Sequence, residues 1–213
     1  MEIKQFKIRC SAIGLIMTNP RSKSETLSKT CKSYCEEWLK EQLYGYSKEI
    51  NSKYLSKGIE VENMAIEYYA EQRELGFVLQ NVDFFENEYL QGTPDLIVND
   101  TVYDMKASWD CFTFPLFDSD IDKKYWMQLQ GYMALTGNRK AKLVYTLQNT
   151  PDELDYNEPK DYSEVAPELR IKEYAFQYDA EFIESVNERV KLCREYINEL
   201  LQKLELKPTE AKY

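Results

Sequence analysis

The 213-residue sequence contains no histidine. This absence excludes catalytic triads of the Ser-His-Asp and Cys-His kinds, histidine general bases and histidine-ligated zinc. Any catalysis must therefore use carboxylates or the side chains of lysine, tyrosine, serine or cysteine.

Glycine and proline are scarce, with seven of each, so collagen-like and low-complexity chains are excluded. The longest apolar run near the start covers only residues 12–17. A membrane span needs roughly 20 apolar residues, and the flanks of a signal peptide are missing, so we expect a cytoplasmic protein without membrane contact. The five cysteines have irregular spacings, and we interpret them as buried thiols rather than as a disulfide framework.

Acidic residues outnumber basic ones by 37 to 27, which leaves a net charge of -10. The distribution is uneven: residues 1–57 hold 11 basic and 6 acidic side chains and carry +5. The other 156 residues hold 16 basic and 31 acidic side chains and carry -15. A basic first quarter suits contact with a polyanion, and it equally suits a solvated helix face.

Length and composition predict one domain of the α/β (α+β) class, with a central mixed β-sheet flanked by helices. Hydrophobic periodicity and turn signals predict the elements. The helices are expected at 24–43, 53–74, 121–136 and 179–206, and the strands at 82–90, 95–98, 102–109, 141–147 and 169–177. The last helix is capped by Asp179, and its apolar stripe comprises Phe182, Val186, Val190, Cys193, Ile197, Leu201 and Leu204. Residues 149–168 are acidic and rich in proline, which indicates a surface loop.

One glutamate lies on the wrong side of the predicted helix 53–74. Glu62 falls within its apolar stripe, which is formed by Leu55, Ile59, Ile66 and Tyr69. A carboxylate on a buried face is costly unless a cation meets it. Although most helix glutamates are simply solvated, Glu62 is therefore a candidate metal ligand.

A second set of charged residues flanks a predicted two-residue hairpin turn at 99–100. Alternation along the second strand places Asp104 and Lys106 on one face, and the hairpin brings Asp95 across from them. Two acids and a lysine could hold Mg²⁺ and a water beside a scissile phosphate. A surface Asp–Lys pair beside a turn aspartate is the alternative for so short a motif.

The predicted helix 121–136 carries Gln128 and Tyr132 on the same face as its core residues. A buried glutamine needs a hydrogen-bond partner, which a catalytic carboxylate, a phosphate oxygen or a metal-bound water would supply. An aromatic core helix whose glutamine bonds to the backbone is the alternative.

Taken in order, four segments resemble the PD-(D/E)xK nuclease superfamily. Within it, they resemble phage recombination exonucleases of the lambda exonuclease, YqaJ and RecB-like type, whose fold is the restriction-endonuclease-like core. The segments are GIEVE for the G-x-x-x-E helix, TPDLI for the PD strand, YDMKAS for the D/E-x-K strand and QLQGY for the Q-x-x-x-Y helix. They span residues 58–145, between a basic, helical N-terminal segment (residues 1–57) and the acidic loop.

The resemblance implies a role for each matching residue. Asp95, Asp104 and the backbone carbonyl of Met105 would bind Mg²⁺, with Mn²⁺ as a substitute, and Glu62 would complete the acidic cluster. Lys106 would orient or deprotonate the attacking water and stabilise developing phosphate charge.

The resemblance extends to residues that would support the site or contact DNA. Gln128 and Tyr132 would hold the site or position the substrate backbone. The N-terminal segment CSAIGLIMT is similar to the opening helix of these exonucleases and indicates Ser11 as a DNA contact. We also expect DNA contacts from Arg21, Lys123 and Lys124.

The function implied is a Mg²⁺-dependent exonuclease that digests double-stranded DNA from its free ends, 5′ to 3′, in the cytoplasm of a bacterial host cell if it is phage-encoded. Its single-stranded products would serve an annealing recombinase, and some members of the family form trimeric rings. The alternatives are an endonuclease of the same fold and a catalytically silent DNA-binding protein. Related nucleases can hold an iron–sulfur cluster on four cysteines; no C-x-x-C pair exists here, so no cluster is expected.

Overall fold

The computed structural model describes residues 3–46, 52–108, 110–149 and 160–205, with only the backbone described for 52–60 and 205. The predictions for the side chains of Leu55 and Ile59, for Trp109 and for the helix end at Leu206 lie outside the described residues. Residues 150–159 of the predicted acidic loop also lie outside them.

The N-terminal region is mainly helical. It comprises β1 (Ile8–Arg9), a 3-10 turn (Cys10–Ala12), α1 (Ile13–Ile16), α2 (Lys29–Tyr44) and α3 (Ser52–Gln72). α2 begins later than predicted because Ser28 caps it: the Ser28 hydroxyl accepts a hydrogen bond from the Cys31 N–H across 3.0 Å. The helix ends at Gly45, whose φ of +71° suits glycine.

The rest of the chain alternates strands and helices. It comprises β2 (Phe85–Glu86), β3 (Leu90–Gly92), β4 (Leu96–Val98), β5 (Thr101–Ser108), α4 (Lys123–Thr136), β6 (Lys140–Leu147), β7 (Ile171–Gln177) and α5 (Ala180–Glu205). The single strand predicted at 82–90 is wrong, because a turn at Asn87 separates β2 from β3. The Asn87 side-chain oxygen accepts hydrogen bonds from the N–H groups of Tyr89 and Leu90.

The main sheet has four strands in the order β4-β5-β6-β7. β5 pairs antiparallel with β4 and parallel with β6, while β6 pairs antiparallel with β7. The predicted fold class, a mixed sheet flanked by helices, is confirmed. A second, three-stranded sheet in the order β1-β3-β2 was not predicted.

Helices cover both faces of the main sheet. On one face, α3 buries Ala65, Ile66 and Tyr69 in a cluster with Tyr103 and Met105 of β5. On the other face, α4 belongs to the larger cluster, which also holds residues of α1, α2 and α5. β5 is therefore enclosed on both sides, and polar side chains on it must find partners inside the protein.

The C-terminal helix α5 buries most of the predicted apolar stripe against the larger cluster, including Val186, Val190 and Ile197. The prediction for Leu204 is wrong, because this side chain is exposed near the end of the helix. Asp179 caps the helix as predicted, accepting a hydrogen bond from the Phe182 N–H across 2.9 Å. Among the described residues, no helix has the length and apolarity required to cross a membrane.

Candidate active site

The β4–β5 hairpin brings two acids together. Its turn residues Asn99 and Asp100 have φ values of +49° and +58°, as a two-residue turn of type I′ requires. The register pairs Leu96 with Tyr103, so Asp95 comes beside Asp104. Asp95 is held there by its Oδ2 atom, which accepts a 2.6 Å hydrogen bond from the Met105 N–H.

Asp104 and Lys106 project from the same face of β5 and form an ion pair. The Lys106 Nζ atom lies 2.7 Å from Asp104 Oδ2, and the Asp104 side chain is 1% exposed. The Lys106 ammonium is the neighbour that the described residues give to this buried oxygen. The same ammonium donates a long, 3.4 Å hydrogen bond to the Met105 carbonyl oxygen. The predicted carboxylate, lysine and carbonyl groups therefore converge.

α4 supports Asp104 from above the sheet. The Gln128 Nε2 atom donates hydrogen bonds to Asp104 Oδ1 across 2.9 Å and to the Tyr132 hydroxyl across 3.0 Å. Of the two alternatives that the sequence leaves open, the first is correct, because the Gln128 amide bonds to a carboxylate and not to the backbone. Gln128 and Tyr132 are both buried, and their approach to β5 fixes the Asp104 rotamer.

Glu62 reaches the same site from α3. It is half-buried, and its Oε1 atom accepts a 2.8 Å hydrogen bond from Gln80 Nε2. Its charge contributes to the electrostatic potential at Asp95. The structure thus brings Asp95, Asp104 and Lys106 together and places Glu62, 33 positions before Asp95, near enough for its charge to act on that residue.

The electrostatics of the cluster are those of crowded acids. Burial, reinforced by the charges of Asp104 and Glu62, raises the pKa of Asp95 well above its usual value. Burial also raises the pKa of Asp104, although Lys106 opposes this. Burial alone would lower the pKa of Lys106, but the charges of Asp104 and Asp95 outweigh it and raise that pKa. Lys106 is therefore a cation in this arrangement.

These groups fit a divalent cation. The charges of the Asp95, Asp104 and Glu62 carboxylates act on one another, and among the described residues only the Lys106 ammonium pairs with this cluster. Oxygen donors of this kind are the ligands that Mg²⁺ and Mn²⁺ accept, and a second positive charge would relieve the repulsion that raises the pKa of Asp95.

Of the residues predicted to contact DNA, Ser11 and Arg21 line different cavities, and Lys124 faces the same Tyr125 ring as Lys106, at 4.8 Å from its centroid. Ser11 is exposed and lines a cavity of about 400 Å³ with Thr93 and Tyr132, next to the acidic cluster. Arg21 lines a different cavity, of about 860 Å³, beside the start of α2. Lys123 and Lys124 are exposed in the first turn of α4, where Lys124 pairs with Asp122 at 2.8 Å. Only Ser11 therefore lies in a cavity that borders the acidic cluster.

All five cysteines are free thiols, and four of them are buried as predicted. Cys111 is exposed, so the prediction is wrong for this residue. The Sγ atoms of Cys31, Cys35 and Cys193 lie within 4.8 Å of one another, inside the larger core cluster. No fourth His, Cys, Asp or Glu ligand joins them among the described residues. That no iron–sulfur cluster is bound stays a prediction.

Sequence reasoning missed three residues around the cluster. Gln80 bonds to Glu62, and Asn81 bonds to the backbone of Pro94 and Asp95. The Tyr125 ring faces Lys106, with its centroid 5.2 Å from the Nζ atom. Gln80 and Asn81 lie in a segment without periodicity, where no pattern identifies them. Tyr125 lies on the predicted core face of α4 and could have been found from it.

Comparisons with known proteins agree with this geometry. The chain is similar to a phage-related exonuclease from Haemophilus somnus 129PT, with 31% identity and a TM-score of 0.81 over 94% of this chain and 97% of that chain. It also shares the fold of the alkaline exonuclease LHK-Exo from Laribacter hongkongensis, with 17% identity and a TM-score of 0.69 over 93% of this chain and 91% of that one. A structure of LHK-Exo in complex with dAMP is similar to the same degree, with 18% identity and a TM-score of 0.68 over the same shares. No protein-family model and no curated protein matches the sequence.

Proposed function

Because this chain belongs to the phage-type exonucleases of the PD-(D/E)xK nuclease superfamily, we propose that it is a Mg²⁺-dependent exonuclease acting on double-stranded DNA. In this proposal it digests linear duplexes from their ends, 5′ to 3′, and Mn²⁺ substitutes for Mg²⁺. The grouping of Asp95, Asp104 and Lys106, with the charge of Glu62 acting on Asp95, is the observation that carries it.

Asp95 and Asp104 would hold the ion through their carboxylates, with the Met105 carbonyl and Glu62 as further oxygen donors. When bound, the ion would polarise the scissile phosphate and lower the pKa of an attacking water. The Met105 N–H bonds to Asp95 Oδ2, and Gln128 bonds to Asp104 Oδ1. Asp104 Oδ2 faces Lys106, so an ion bound by this oxygen would share it with the ammonium.

Lys106 would act on the phosphate and the water. Two carboxylates keep it protonated here, so its role is to orient the water and to stabilise the charge that develops on the phosphate oxygens. Hydrolysis would leave a 5′-phosphate and a 3′-hydroxyl. Ser11, in the cavity beside Tyr132, would contact the DNA backbone next to the scissile bond.

The single strands left by such digestion would be substrates for an annealing recombinase. A homotrimer that encircles DNA would suit this mode of action, as it does in some relatives that the sequence resembles. The recombinase partner and the trimer are both proposed from the family resemblance. Neither is needed for the catalytic role proposed for the acidic cluster.

The test is digestion of linear duplex labelled at either the 5′ or the 3′ terminus, with Mg²⁺ or with EDTA. We expect Mg²⁺-dependent release of the 5′ label first and no cleavage of covalently closed circular DNA. The Lys106→Met variant should lose roughly 100-fold or more in rate, as the loss of one charge-stabilising donor does. Lys191→Met is the matched control, because Lys191 is exposed on α5 and pairs with Glu188.

Three results would contradict the proposal. Cleavage of the closed circle would indicate an endonuclease. Full activity of Lys106→Met would show that Lys106 does not take part in catalysis at the proposed site. A wild-type protein that binds DNA but digests none of it in Mg²⁺ or Mn²⁺ would indicate a catalytically silent member of the fold.

A further inference from the structure

The segment between α3 and β2, residues 73–84, runs back along α3 toward the acidic cluster. The helix ends at a left-handed turn, with φ values of +50° at Glu74 and +76° at Gly76. The chain then reverses, and its Leu75 and Val78 side chains pack against the core cluster under α3. This return path brings Gln80 level with Glu62, about three helical turns before the end of α3.

Gln80 is the partner that the structure gives to Glu62. The 2.8 Å bond from Gln80 Nε2 occupies Glu62 Oε1, and none of the hydrogen bonds among the described side chains occupies Oε2. Both side chains are half-buried, so the bond is only partly weakened by competition with water. It restricts the rotamer of a glutamate that has three side-chain torsions and would otherwise point in several directions.

The next residue holds the other side of the site. The Asn81 N–H donates to the Asp95 carbonyl oxygen across 2.8 Å, and Asn81 Nδ2 donates to the Pro94 carbonyl oxygen across 2.9 Å. Asn81 also bonds to the backbone of Asp83, which fixes its own rotamer. The backbone that carries Asp95 is therefore tied to the backbone that carries Gln80.

We infer that Gln80 is a positioning residue for Glu62, and that Gln80 and Asn81 together set the separation between Glu62 and Asp95 for metal binding. Two adjacent residues of one irregular segment join Glu62 on α3 to Asp95, which lies directly before β4 and 33 positions later in the sequence. The inference rests on the proposed function, because it assigns these contacts to the geometry of the metal site.

The amide is suited to this task because it is neutral. A lysine at position 80 could donate to Glu62 equally well, but it would neutralise the carboxylate and reduce the attraction for a divalent cation. A leucine would keep the volume and remove the donor, leaving Glu62 free to turn away. Loss of such an outer-shell partner typically lowers metal affinity about 10- to 100-fold.

The experiment compares Gln80→Leu and Gln80→Lys with the wild type. Mn²⁺ binding is measured by calorimetry without DNA, Tm is measured in EDTA, and the rate of duplex digestion is followed against Mg²⁺ concentration. Gln177→Leu is the control, because Gln177 is an exposed glutamine on β7. We expect both Gln80 variants to bind Mn²⁺ about 10-fold more weakly. The half-saturating Mg²⁺ concentration should rise in parallel, with the rate at saturating Mg²⁺ and the Tm in EDTA near wild type.

The two variants separate positioning from charge. Gln80→Leu removes the hydrogen bond to Glu62 without adding a charge, so weaker Mn²⁺ binding by this variant supports the inference. Gln80→Lys keeps a donor and adds a charge, so weaker Mn²⁺ binding by Gln80→Lys alone is a charge effect and overturns the inference. Unchanged Mn²⁺ affinity in both folded variants, beside an active wild type, overturns the inference and leaves the proposed function intact. A wild type without Mn²⁺ binding or digestion would instead overturn the proposed function.

Discussion

Gln128 and Asp104 lie 2.9 Å apart, with the Gln128 amide donating to one oxygen of a carboxylate that is almost fully buried. The same nitrogen donates to the Tyr132 hydroxyl, so the amide has no freedom to rotate away. The neutral Gln128 amide therefore fixes the orientation of the buried Asp104 carboxylate, and the second carboxylate oxygen faces Lys106.

Replacing Gln128 with leucine should impair metal-dependent digestion about 10- to 100-fold, because Asp104 loses its orienting partner. The rate as a function of Mg²⁺ concentration is the measurement. Gln130→Leu is the matched control: Gln130 is also buried on α4 but bonds to the backbone of Gln177 and Asp179, away from the cluster. If the two variants show the same Mg²⁺ dependence, the Gln128 contact has no special role.

Replacing Asp95 with asparagine should stabilise the metal-free protein at alkaline pH, even though it should abolish digestion. The pKa of Asp95 is raised in the folded state, so the stability that its protonated form contributes is lost as the pH rises from about 3.9 through the raised value. Asparagine keeps an acceptor for the Met105 N–H and carries no charge.

The measurement for Asp95→Asn is Tm in EDTA between pH 4 and pH 9. The Tm of the variant should exceed that of the wild type only slightly near pH 4 and by more as the pH rises. Each kcal/mol of difference in the free energy of unfolding corresponds to roughly 2–4 °C in Tm. A variant that is less stable than the wild type at pH 8 would show that burial of the Asp95 charge and repulsion from Asp104 and Glu62 do not destabilise the metal-free protein.

Mg²⁺ should stabilise the wild-type protein against heat. At 100 times its Kd, a ligand specific for the folded state contributes about 2.7 kcal/mol, or roughly 5–10 °C in Tm for a chain of this length. Asp104→Asn should show no such rise, and NaCl at matched ionic strength is the salt control. An equal rise in the variant would place the bound ion elsewhere.

Replacing Gly131 with alanine should destabilise the protein by about 1–3 kcal/mol, as overpacking of a dense core does. An added Cβ would lie 2.7 Å from Ile13 Cδ1 and 2.8 Å from Cys10 Sγ, within the contact between α4 and the N-terminal turn. Gly14→Ala is the control, because its Cβ would meet Lys124 Cβ at an ordinary 3.5 Å. Tm of the three proteins is the measurement, and equal values would contradict the prediction.

Much of the fold follows from local patterns. The hairpin at Asn99–Asp100 and the helix α4 were predictable because a turn of type I′ and an amphipathic helix each leave a short-range signal. The split of 82–90 into β2 and β3 was not, since it depends on one asparagine side chain that caps a turn. The second sheet was missed because β1 has only two residues and pairs with β3, about 80 positions away.

The order of the motifs and the alternation along β5 were enough to select Asp104 and Lys106 and to place Asp95 opposite them. These relationships are set by strand periodicity and by a two-residue turn, which are properties of neighbouring residues. Only the tertiary structure decided that Gln80 faces Glu62, that Asn81 holds Asp95 and that Ser11 and Arg21 lie in separate cavities. Such contacts join segments without a repeat, and they depend on how the whole chain packs.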